Sequence, residues 1–497
     1  MGLKSWIIKP LAKKIARDIA HMAEHAVAAQ ERVFQNLVEK GRRTAFGRDH
    51  GFAAIRSYED FKAQVPLRDY EGLKNYVERI KQGEADVLWP GRPKYFAKTS
   101  GTTSGVKYIP LTKDSMPNHF NTARNALFNY YAQTGQGGFL DGKMIFLSGS
   151  PELEQVGGIP TGRLSGIVNH EVPAWLRTNQ LPSYAVNCIE EWEEKLERIV
   201  DETLGQDMRL ISGIPPWVQM YYERLLERSG KKTILELFPN YSVFVYGGVN
   251  FEPYRSKLEE LVGGRIASVE TYPASEGFIA FQDKQEEKGL LLNADSGIFF
   301  EFVPAEEIHS ENPTRLSLKD VEVGVNYALI INNNAGLWGY NIGDTVSFVS
   351  KSPYRLLVTG RVKHFISAFG EHVIGKEVEE AMLAAAERYA VKIVEFTVAP
   401  QVSPPEGGLP YHEWFVEFDQ PPAQLETFAA ELDRQMVKQN IYYADLIEGK
   451  ILRPLVLRAL PAGAFREYMK TQGKLGGQNK VPRLSNDRKI ADALSES

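Results

Sequence analysis

The chain has 497 residues, of which 43% are hydrophobic and 24% charged. It is too long for one ordinary core and too apolar for a disordered chain, so we expect two or more folded domains. The net charge of −5 argues against a general nucleic-acid binder, which needs a basic face. The single cysteine, Cys188, excludes a disulfide framework and a thiolate metal cage. We therefore expect a packed, structural thiol in a reducing, cytoplasmic compartment.

The first ninety residues predict helices at roughly 4–41, at Tyr58–Gln64 and at Tyr70–Gln82. In the first of these, apolar residues recur at helical spacing with Lys and Arg between them: Ile7, Ile8, Leu11, Ile15 and Ile19. This pattern favours a helix docked on its own domain, with a membrane-surface helix as the alternative. No apolar run approaches the roughly 20 residues of a membrane span, so we expect none.

The same segment contains HMAEH at His21–His25, which matches an inverted zinc-peptidase motif. Two histidines four residues apart share a helix face, as a zinc site requires. No partner motif accompanies them, so a chance pattern on a polar helix is the preferred interpretation.

Beyond residue 90, short apolar runs alternate with helical patterns, which predicts an α/β layer with a mainly parallel sheet. The predicted strands are Lys143–Leu147, Arg209–Ile211, Ser242–Tyr246 and Ala267–Tyr272. The predicted helices are Met116–Tyr131, Ile189–Leu204, Trp217–Ser229 and Pro253–Leu261.

From Gly297 the pattern changes to closely spaced strands, IFFEFVP, NYALIIN, TVSFVS and YRLLVTG, which indicate an antiparallel or barrel-like section. After Arg361 a small α+β unit is predicted. Its elements are a helix at Gly375–Tyr389, strands at Lys392–Val398 and Glu413–Phe418, a helix at Ala423–Gln439 and a strand at Ile451–Arg458. We place the domain boundary near Arg361–Lys363, giving domains of residues 1–361 and 362–497.

Residues 98–112, KTSGTTSGVKYIPLT, supply hydroxyls, turn-forming glycines and a cation, which are the groups that a polyphosphate requires. The spacing is not that of a Walker loop, and an ordinary Ser/Thr/Gly surface loop is the alternative.

Two acidic motifs follow strands. YPASEG at Tyr272–Gly277 places Glu276 at the carboxyl end of a strand, where ligands of α/β sheets bind and where it could hold Mg²⁺. GYNIGD at Gly339–Asp344 offers a carboxylate for two ribose hydroxyls, with Asp344 beginning a strand and Arg361 ending the next. A solvated turn glutamate and a strand-end salt bridge are the alternatives.

The last motif, GKLGGQNKVPR at Gly473–Arg483, is a glycine-rich segment carrying Lys480. A mobile loop with one lysine could neutralise charge on a phosphate in a transition state, whereas composition alone favours a disordered basic tail.

In this order, the motifs resemble the acyl-adenylate-forming superfamily over nearly the whole chain. More closely, the chain resembles the auxin-responsive promoter family of acyl acid amido synthetases, Gretchen Hagen 3. The resemblance is carried by residues 60–84, by TSGTTSGVKYIPLT at 99–112, by YGGVNFEPYRSKLEELVG at 246–263, by YPASEG at 272–277 and by YNIGD at 340–344. It implies a large N-terminal adenylate-forming domain, with a mainly parallel sheet and a barrel-like β section, and a small, mobile C-terminal α+β domain.

The resemblance also implies a role for each matched residue. The loop on the ATP phosphates would comprise Ser100, Gly101, Thr102, Thr103, Ser104 and Lys107. Tyr272, Ser275 and Glu276 would lie beside the adenine and α-phosphate, with Glu276 toward Mg²⁺. Asp344 would bind the ribose with help from Arg361. Lys480 would drive adenylation, with Lys474 as the competing candidate.

The implied reaction uses ATP and Mg²⁺ to convert a carboxylic acid into an acyl-adenylate and then an amide, with an amine, expected to be an amino acid, as acceptor. Residues 360–373, GRVKHFISAFGEHV, depart from the plant enzymes and favour a bacterial member that acts on other acids. An acyl-CoA ligase with the same first half-reaction and a non-catalytic nucleotide-binding module remain alternatives.

Overall fold

In the computed structural model, the contacts divide the chain into two compact units. The larger comprises residues 1–99, 107–190 and 195–362, and the smaller comprises residues 363–497 with the short segments 100–106 and 191–194. The structure describes residues 2–102, 105–172, 177–248, 251–308, 310–362, 365–366, 368–371, 373–472 and 481–495.

The larger unit is organised around an eleven-stranded mixed sheet in its described residues. In spatial order its strands are β12 (Ile298–Pro304), β13 (Asn326–Asn333), β14 (Tyr340–Lys351), β15 (Tyr354–Arg361), β11 (Leu290–Leu292), β10 (Gly277–Phe281), β9 (Ala267–Ala274), β8 (Val243–Gly247), β7 (Met208–Ser212), β3 (Lys143–Phe146) and β6 (Gln180–Leu181).

The strands from β9 to β6 are parallel to their neighbours, and those from β12 to β9 are antiparallel. The section expected to be antiparallel or barrel-like is therefore antiparallel and continues the parallel sheet. The α/β fold class, with a larger sheet domain and a smaller C-terminal one, is confirmed.

A separate four-stranded sheet has the order β2 (Gly105–Leu111), β1 (Tyr95–Thr102), β5 (Ile159–Gly162) and β4 (Glu154–Val156). Strands β1 and β2 are adjacent, so most of the predicted phosphate loop is strand, called here the β1–β2 hairpin; Thr103 and Ser104 lie outside the described residues.

The other main elements of this part of the chain are helices. They are α1 (Leu3–Glu24), α2 (Ala26–Gly41), α3 (Ala45–Asp49), α4 (Tyr58–Gln64), α5 (Tyr70–Lys81), α6 (Met116–Thr134), α7 (Leu164–Glu171), α8 (Tyr184–Asn187), α9 (Trp192–Thr203), α10 (Pro215–Ser229), α11 (Ile234–Leu237) and α12 (Glu252–Val262). Among the described helices, none has both the length and the apolar character needed to cross a membrane.

The single helix predicted at 4–41 is two helices, which meet at His25. There the backbone leaves helical geometry, with φ −114° and ψ 26°, and His25 Nδ1 lies 2.9 Å from the carbonyl oxygen of His21. This ring nitrogen is occupied by the backbone, and the described residues contain no group of three or more potential metal ligands around it.

One side chain of α2 closes an edge of the large sheet. Gln30 is buried; its Nε2 donates to the carbonyl oxygen of Ile298 and its Oε1 accepts from the N–H of Phe300, both at 2.8 Å. Both partners belong to the outermost strand, β12, so the amide of Gln30 takes the place of a neighbouring strand.

The smaller unit has the predicted α+β character. Its three-stranded sheet has β18 (Lys392–Gln401) antiparallel to β19 (Tyr411–Gln420), which is parallel to β20 (Val456–Leu460). A two-stranded sheet joins β16 (Phe365–Ile366) to β17 (Val373–Ile374). Its helices are α13 (Gly375–Tyr389), α14 (Leu425–Gln439), α15 (Ile441–Glu448), α16 (Ala464–Thr471) and α17 (Lys489–Ser495).

Candidate functional site

The carboxyl ends of the parallel strands β8 and β9 are held very close together. Thr271 Oγ1 donates to the carbonyl oxygen of Tyr246 at 2.9 Å, and a Cβ at Gly247 would lie only 2.2 Å from the carbonyl oxygen of Thr271. Gly248 follows with φ +82°, a conformation that favours glycine. The chain turns sharply here, at the edge of the sheet where α/β proteins bind ligands.

Tyr272 and Asp344 meet at this edge, although they are 72 residues apart in sequence. The Tyr272 hydroxyl donates to Asp344 Oδ2 at 2.5 Å, and both side chains are buried. Their strands, β9 and β14, are separated by three others, which would put them roughly 19 Å apart in a flat sheet. The antiparallel part of the sheet must therefore curl back over the parallel part.

Glu276 lies in the turn between β9 and β10, beside β14. The Tyr340 hydroxyl is 3.4 Å from Glu276 Oε1, and Asn333 Nδ2 donates to the Glu276 carbonyl oxygen at 2.7 Å. Burial, followed by the charge of Glu276, raises the pKa of Tyr340 well above its usual value, so the phenol remains a donor. The structure therefore brings together the YPASEG and YNIGD motifs.

The sequence motifs did not assign a role to two of these residues, Tyr340 and Asn333. Tyr340 was visible as the first residue of YNIGD. Asn333 belongs to the run Asn332–Asn334 at the end of an apolar strand, and its Oδ1 also accepts from the N–H groups of Ala335 and Leu337. Amide side chains at the end of an apolar strand were the signal available in the sequence, because a buried amide needs several hydrogen-bond partners.

Asp344 and Arg361 are register partners on β14 and β15. Strand β14 begins at Tyr340, so the prediction that Asp344 begins its strand was wrong by four residues. Pairing with β13 and an isolated bridge between Tyr340 and Arg68 extend the strand back through the motif. Arg361 ends β15, as predicted, and the Val362 N–H then donates to the Gly343 carbonyl oxygen at 2.8 Å.

The remaining predicted site residues are distributed as follows. Ser100, Gly101 and Thr102 are the last residues of β1, Lys107 is partly buried on β2, and Ser275 is partly buried in the turn that contains Glu276. Thr103, Ser104, Lys474 and Lys480 lie outside the described residues.

Lys195 on α9 is a buried cation that sequence reasoning missed. It is 3% exposed, and its Nζ donates to the carbonyl oxygens of Asn187 at 2.7 Å and Ser148 at 3.0 Å. Burial lowers the pKa of Lys195 to about 8. Its sequence context, EEKLER, reads as a solvated helix face and gives no signal of burial.

Three family patterns match the chain. The GH3 family N-terminal domain matches residues 15–172 and 161–266, the central domain matches 291–361, and the C-terminal domain matches 376–489. The chain belongs to the GH3 family. The resemblance read from the motifs is thus confirmed.

Similar GH3 proteins extend over nearly the full length. Indole-3-acetic acid-amido synthetase GH3.3 of Arabidopsis thaliana is 23% identical, over 97% of this chain and 93% of its own. Jasmonoyl–L-amino acid synthetase GH3.5 of Oryza sativa subsp. japonica is 23% identical, over 96% and 95%. The solved structure of the GH3.15 acyl acid amido synthetase shares the fold, with a TM-score of 0.62 and 16% identity over 98% of this chain and 96% of its own.

The predicted enzyme class follows from this family membership. The protein is a ligase of the acyl acid amido synthetase type. A purely non-catalytic binding module is not supported by these relatives.

Proposed function

We propose that this GH3 protein uses ATP to activate a small carboxylic acid and transfers the acyl group to the amino group of an amino acid. The observation that carries the proposal is the 2.5 Å hydrogen bond from Tyr272 to Asp344, beside the turn that contains Glu276. The bond lies at the ligand-binding edge of the sheet, where Asp344 is a carboxylate suited to ribose hydroxyls and Glu276, in the turn after the same strand as Tyr272, is one suited to a cation.

In this proposal Asp344 accepts hydrogen bonds from the ribose hydroxyls, Tyr272 orients that carboxylate and Arg361 assists. The phosphates would contact the hairpin through Ser100, Gly101, Thr102, Thr103, Ser104 and Lys107, with Ser275 near the adenine and α-phosphate. Backbone N–H groups, hydroxyls and a cation suit this task because they neutralise spread negative charge.

Glu276 fits Mg²⁺ as a single-carboxylate ligand. Its side chain is partly exposed, and its hydrogen-bond donor among the described residues, Tyr340, is at the long distance of 3.4 Å, so the carboxylate retains acceptor capacity. Mg²⁺ commonly binds through one or two carboxylates, waters and substrate phosphates, and the described residues offer no larger acidic cluster. When bound, the ion would offset negative charge on the phosphates.

The chemistry has two steps. A substrate carboxylate oxygen attacks the α-phosphorus of ATP, an O–P bond forms, and the bond to pyrophosphate breaks. The amine nitrogen then attacks the activated carbonyl, a C–N bond forms, AMP leaves, and the amine loses a proton to solvent or a base. Lys480, or Lys474 in its place, would stabilise the charge that develops on the phosphate in the first step.

The domain roles and the acceptor are part of the proposal. Residues 1–361 would bind ATP and the acid, and residues 362–497 would move between the two steps about a hinge near Val362–Lys363. An amino acid is favoured over CoA because the plant relatives are amido and amino acid synthetases. The identity of the carboxylic acid is to be determined by the assay below.

The test is an assay with Mg-ATP, a panel of aryl and alkyl acids, and either pooled amino acids or CoA. Mass spectrometry should detect AMP, pyrophosphate and an amide, all lost in Lys480→Ala but retained in Lys474→Ala. A CoA thioester would preserve adenylation and replace the acceptor. The reverse pattern between the two lysine variants would reassign the adenylation lysine, and AMP without any conjugate would refute transfer.

A further inference from the structure

The outward face of α1 exposes large apolar side chains. Trp6 is 67% exposed, Ile7 58% and Leu11 45%, all within two turns of helix. The opposite face buries Ala12, Ile15 and Ile19 in a core that includes residues of α6. Packing within the described residues therefore buries one apolar face of α1 and leaves the patch of Trp6, Ile7 and Leu11 exposed.

This patch is surrounded by positive charge. Residues 1–18 contain five cations and one acid, Asp18, whereas the whole chain has a net charge of −5. Lys4, Lys13, Lys14 and Arg17 are exposed, and Lys9 is partly exposed. In the part of the chain that the structure describes, Lys9, Lys13, Lys14 and Arg17 form no ion pair. The apolar face and its basic rim together define the α1 basic face.

The start of α1 is fixed rather than frayed. The carboxylate of Asp141 accepts from the backbone N–H groups of Gly2, Lys4 and Ser5 at 2.9, 3.0 and 3.2 Å. The Tyr131 hydroxyl donates to the Ser5 carbonyl oxygen at 2.9 Å. A remote carboxylate thus caps the helix, and Trp6 and Ile7 project from a rigid support.

We propose that the α1 basic face binds an anionic lipid surface, with Trp6, Ile7 and Leu11 inserted at the level of the headgroups and the lysines on their phosphates. Tryptophan has an apolar body and a polar N–H, which suits the membrane–water boundary. Lysine and arginine on the same helix face supply the attraction to anionic headgroups. This binding is additional to the proposed amide synthesis and does not depend on it.

Charge decides between the possible occupants. A second copy would bring the same basic face against itself across a two-fold axis, where its like charges would repel. An acidic peptide would need a groove or a sheet edge, whereas one exposed helix face forms a ridge. A bilayer surface accommodates a ridge of this kind and carries the complementary charge.

The experiment is co-sedimentation of the full chain with vesicles of phosphatidylcholine alone or mixed with phosphatidylserine, at low and high salt. We expect binding to the mixed vesicles only, weakened by salt. The double variants Trp6→Ser/Ile7→Ser and Lys13→Glu/Lys14→Glu should each reduce the fraction bound by about tenfold. Leu383→Ser, on α13, is the matched control because Leu383 is 60% exposed and lies in the other unit.

Both double variants alter exposed side chains, so their thermal midpoints and AMP formation should equal those of the unchanged protein. Equal binding to both kinds of vesicle, no binding to either, or full binding by the double variants would overturn the proposal. So would self-association of the free protein that the Trp6→Ser/Ile7→Ser variant abolishes, since that result would assign the face to a second copy.

Discussion

In the proposed nucleotide site, the hydrogen bond from Tyr272 orients the Asp344 carboxylate, so nucleotide affinity should depend on the tyrosine hydroxyl. Tyr272→Phe should raise the Kd for ATP about tenfold, because a hydrogen bond to a buried carboxylate contributes about 1.5–3 kcal/mol. Isothermal titration calorimetry measures this change. Tyr130→Phe is the control, since it removes a hydrogen bond from a buried tyrosine to Gln136 instead. Unchanged affinity in Tyr272→Phe would contradict the assignment of Asp344 to ribose.

Lys195 makes stability depend on pH. Burial lowers its pKa from 10.5 to about 8 in the folded protein, so the folded state binds fewer protons than the unfolded state between these values. The charged ammonium costs about 3 kcal/mol below pH 8. This penalty disappears as pH rises from about 8 to 10.5. Between pH 7 and 9 the group should therefore add about 1 kcal/mol to the free energy of unfolding.

Denaturant unfolding at pH 7 and pH 9 measures this contribution. Lys195→Met should remove the gain of about 1 kcal/mol, whatever its effect on stability at either single pH. Lys232→Met, at an exposed lysine, should retain it. If Lys195→Met keeps the full pH dependence, another group is responsible.

At the scale of elements, Gly247 sets how closely β8 approaches β9. In Gly247→Ala the new methyl group would overlap the Thr271 carbonyl oxygen, so the strand ends must separate. We expect a loss of about 2–3 kcal/mol in the free energy of unfolding and a larger proportional loss of AMP formation. Gly138→Ala is the matched change, because its Cβ would meet only Arg209 Nη1, at 3.8 Å. Urea unfolding and the AMP assay together test this; equal behaviour of the two variants would show that the approach is not critical.

Elements with strong periodicity could be predicted from sequence, and those defined by tertiary contacts could not. Helix α6 begins at Met116 as predicted and ends at Thr134, three residues beyond the predicted Tyr131; Gly135, with φ +74°, forms the left-handed cap. The strand predicted at Ile451–Arg458 begins only at Val456. The N–H groups of Ile451 and Leu452 instead donate to the Leu446 carbonyl oxygen and close α15, so local apolar character was misleading.

The hairpin β1–β2 shows the opposite difficulty. Its Ser, Thr and Gly residues have the composition of a loop, yet β1 continues as a strand to Thr102; its pairing with β5 lies upstream, at Phe96 and Ala97. Sequence predicted phosphate binding for this segment, which stays a prediction, but it did not predict the strand conformation of the backbone. Strand pairing depends on partners distant in sequence, which local propensity does not contain.

At the scale of the whole molecule, two compact units imply two unfolding events. Tyr272, Glu276 and Asp344 all belong to the larger unit, so AMP should stabilise that unit selectively, by about 2.7 kcal/mol at one hundred times its Kd. Calorimetry would resolve the transitions, and hydrogen exchange with mass spectrometry during heating would assign them. Asp344→Ala should abolish the shift. A single transition, or a shift in residues 363–497 alone, would contradict this expectation.

The candidate site could be predicted from sequence only as separate motifs. Glu276 and Asp344 were identified by residue type and by their position near strands, and the family resemblance supplied their order. Sequence did not predict that Tyr272 would reach across from β9 to β14, because this contact depends on the curvature of the whole sheet. The burial of Lys195 was missed because its partners, the carbonyl oxygens of Ser148 and Asn187, lie outside its own helix.

The hydrogen bonds from the Gln30 amide on α2 to the outermost strand, β12, have a consequence for aggregation. An open strand edge can recruit a strand from another molecule, and such pairing is how native sheets grow into amyloid-like assemblies. Here α2 would have to detach before the N–H of Phe300 and the carbonyl of Ile298 could pair with a foreign chain. Beyond them, Phe302 is already bridged to Leu316. Resistance to fibril formation at this edge is therefore set by the free energy of detaching one helix. Local unfolding of this kind requires less free energy than unfolding the sheet itself.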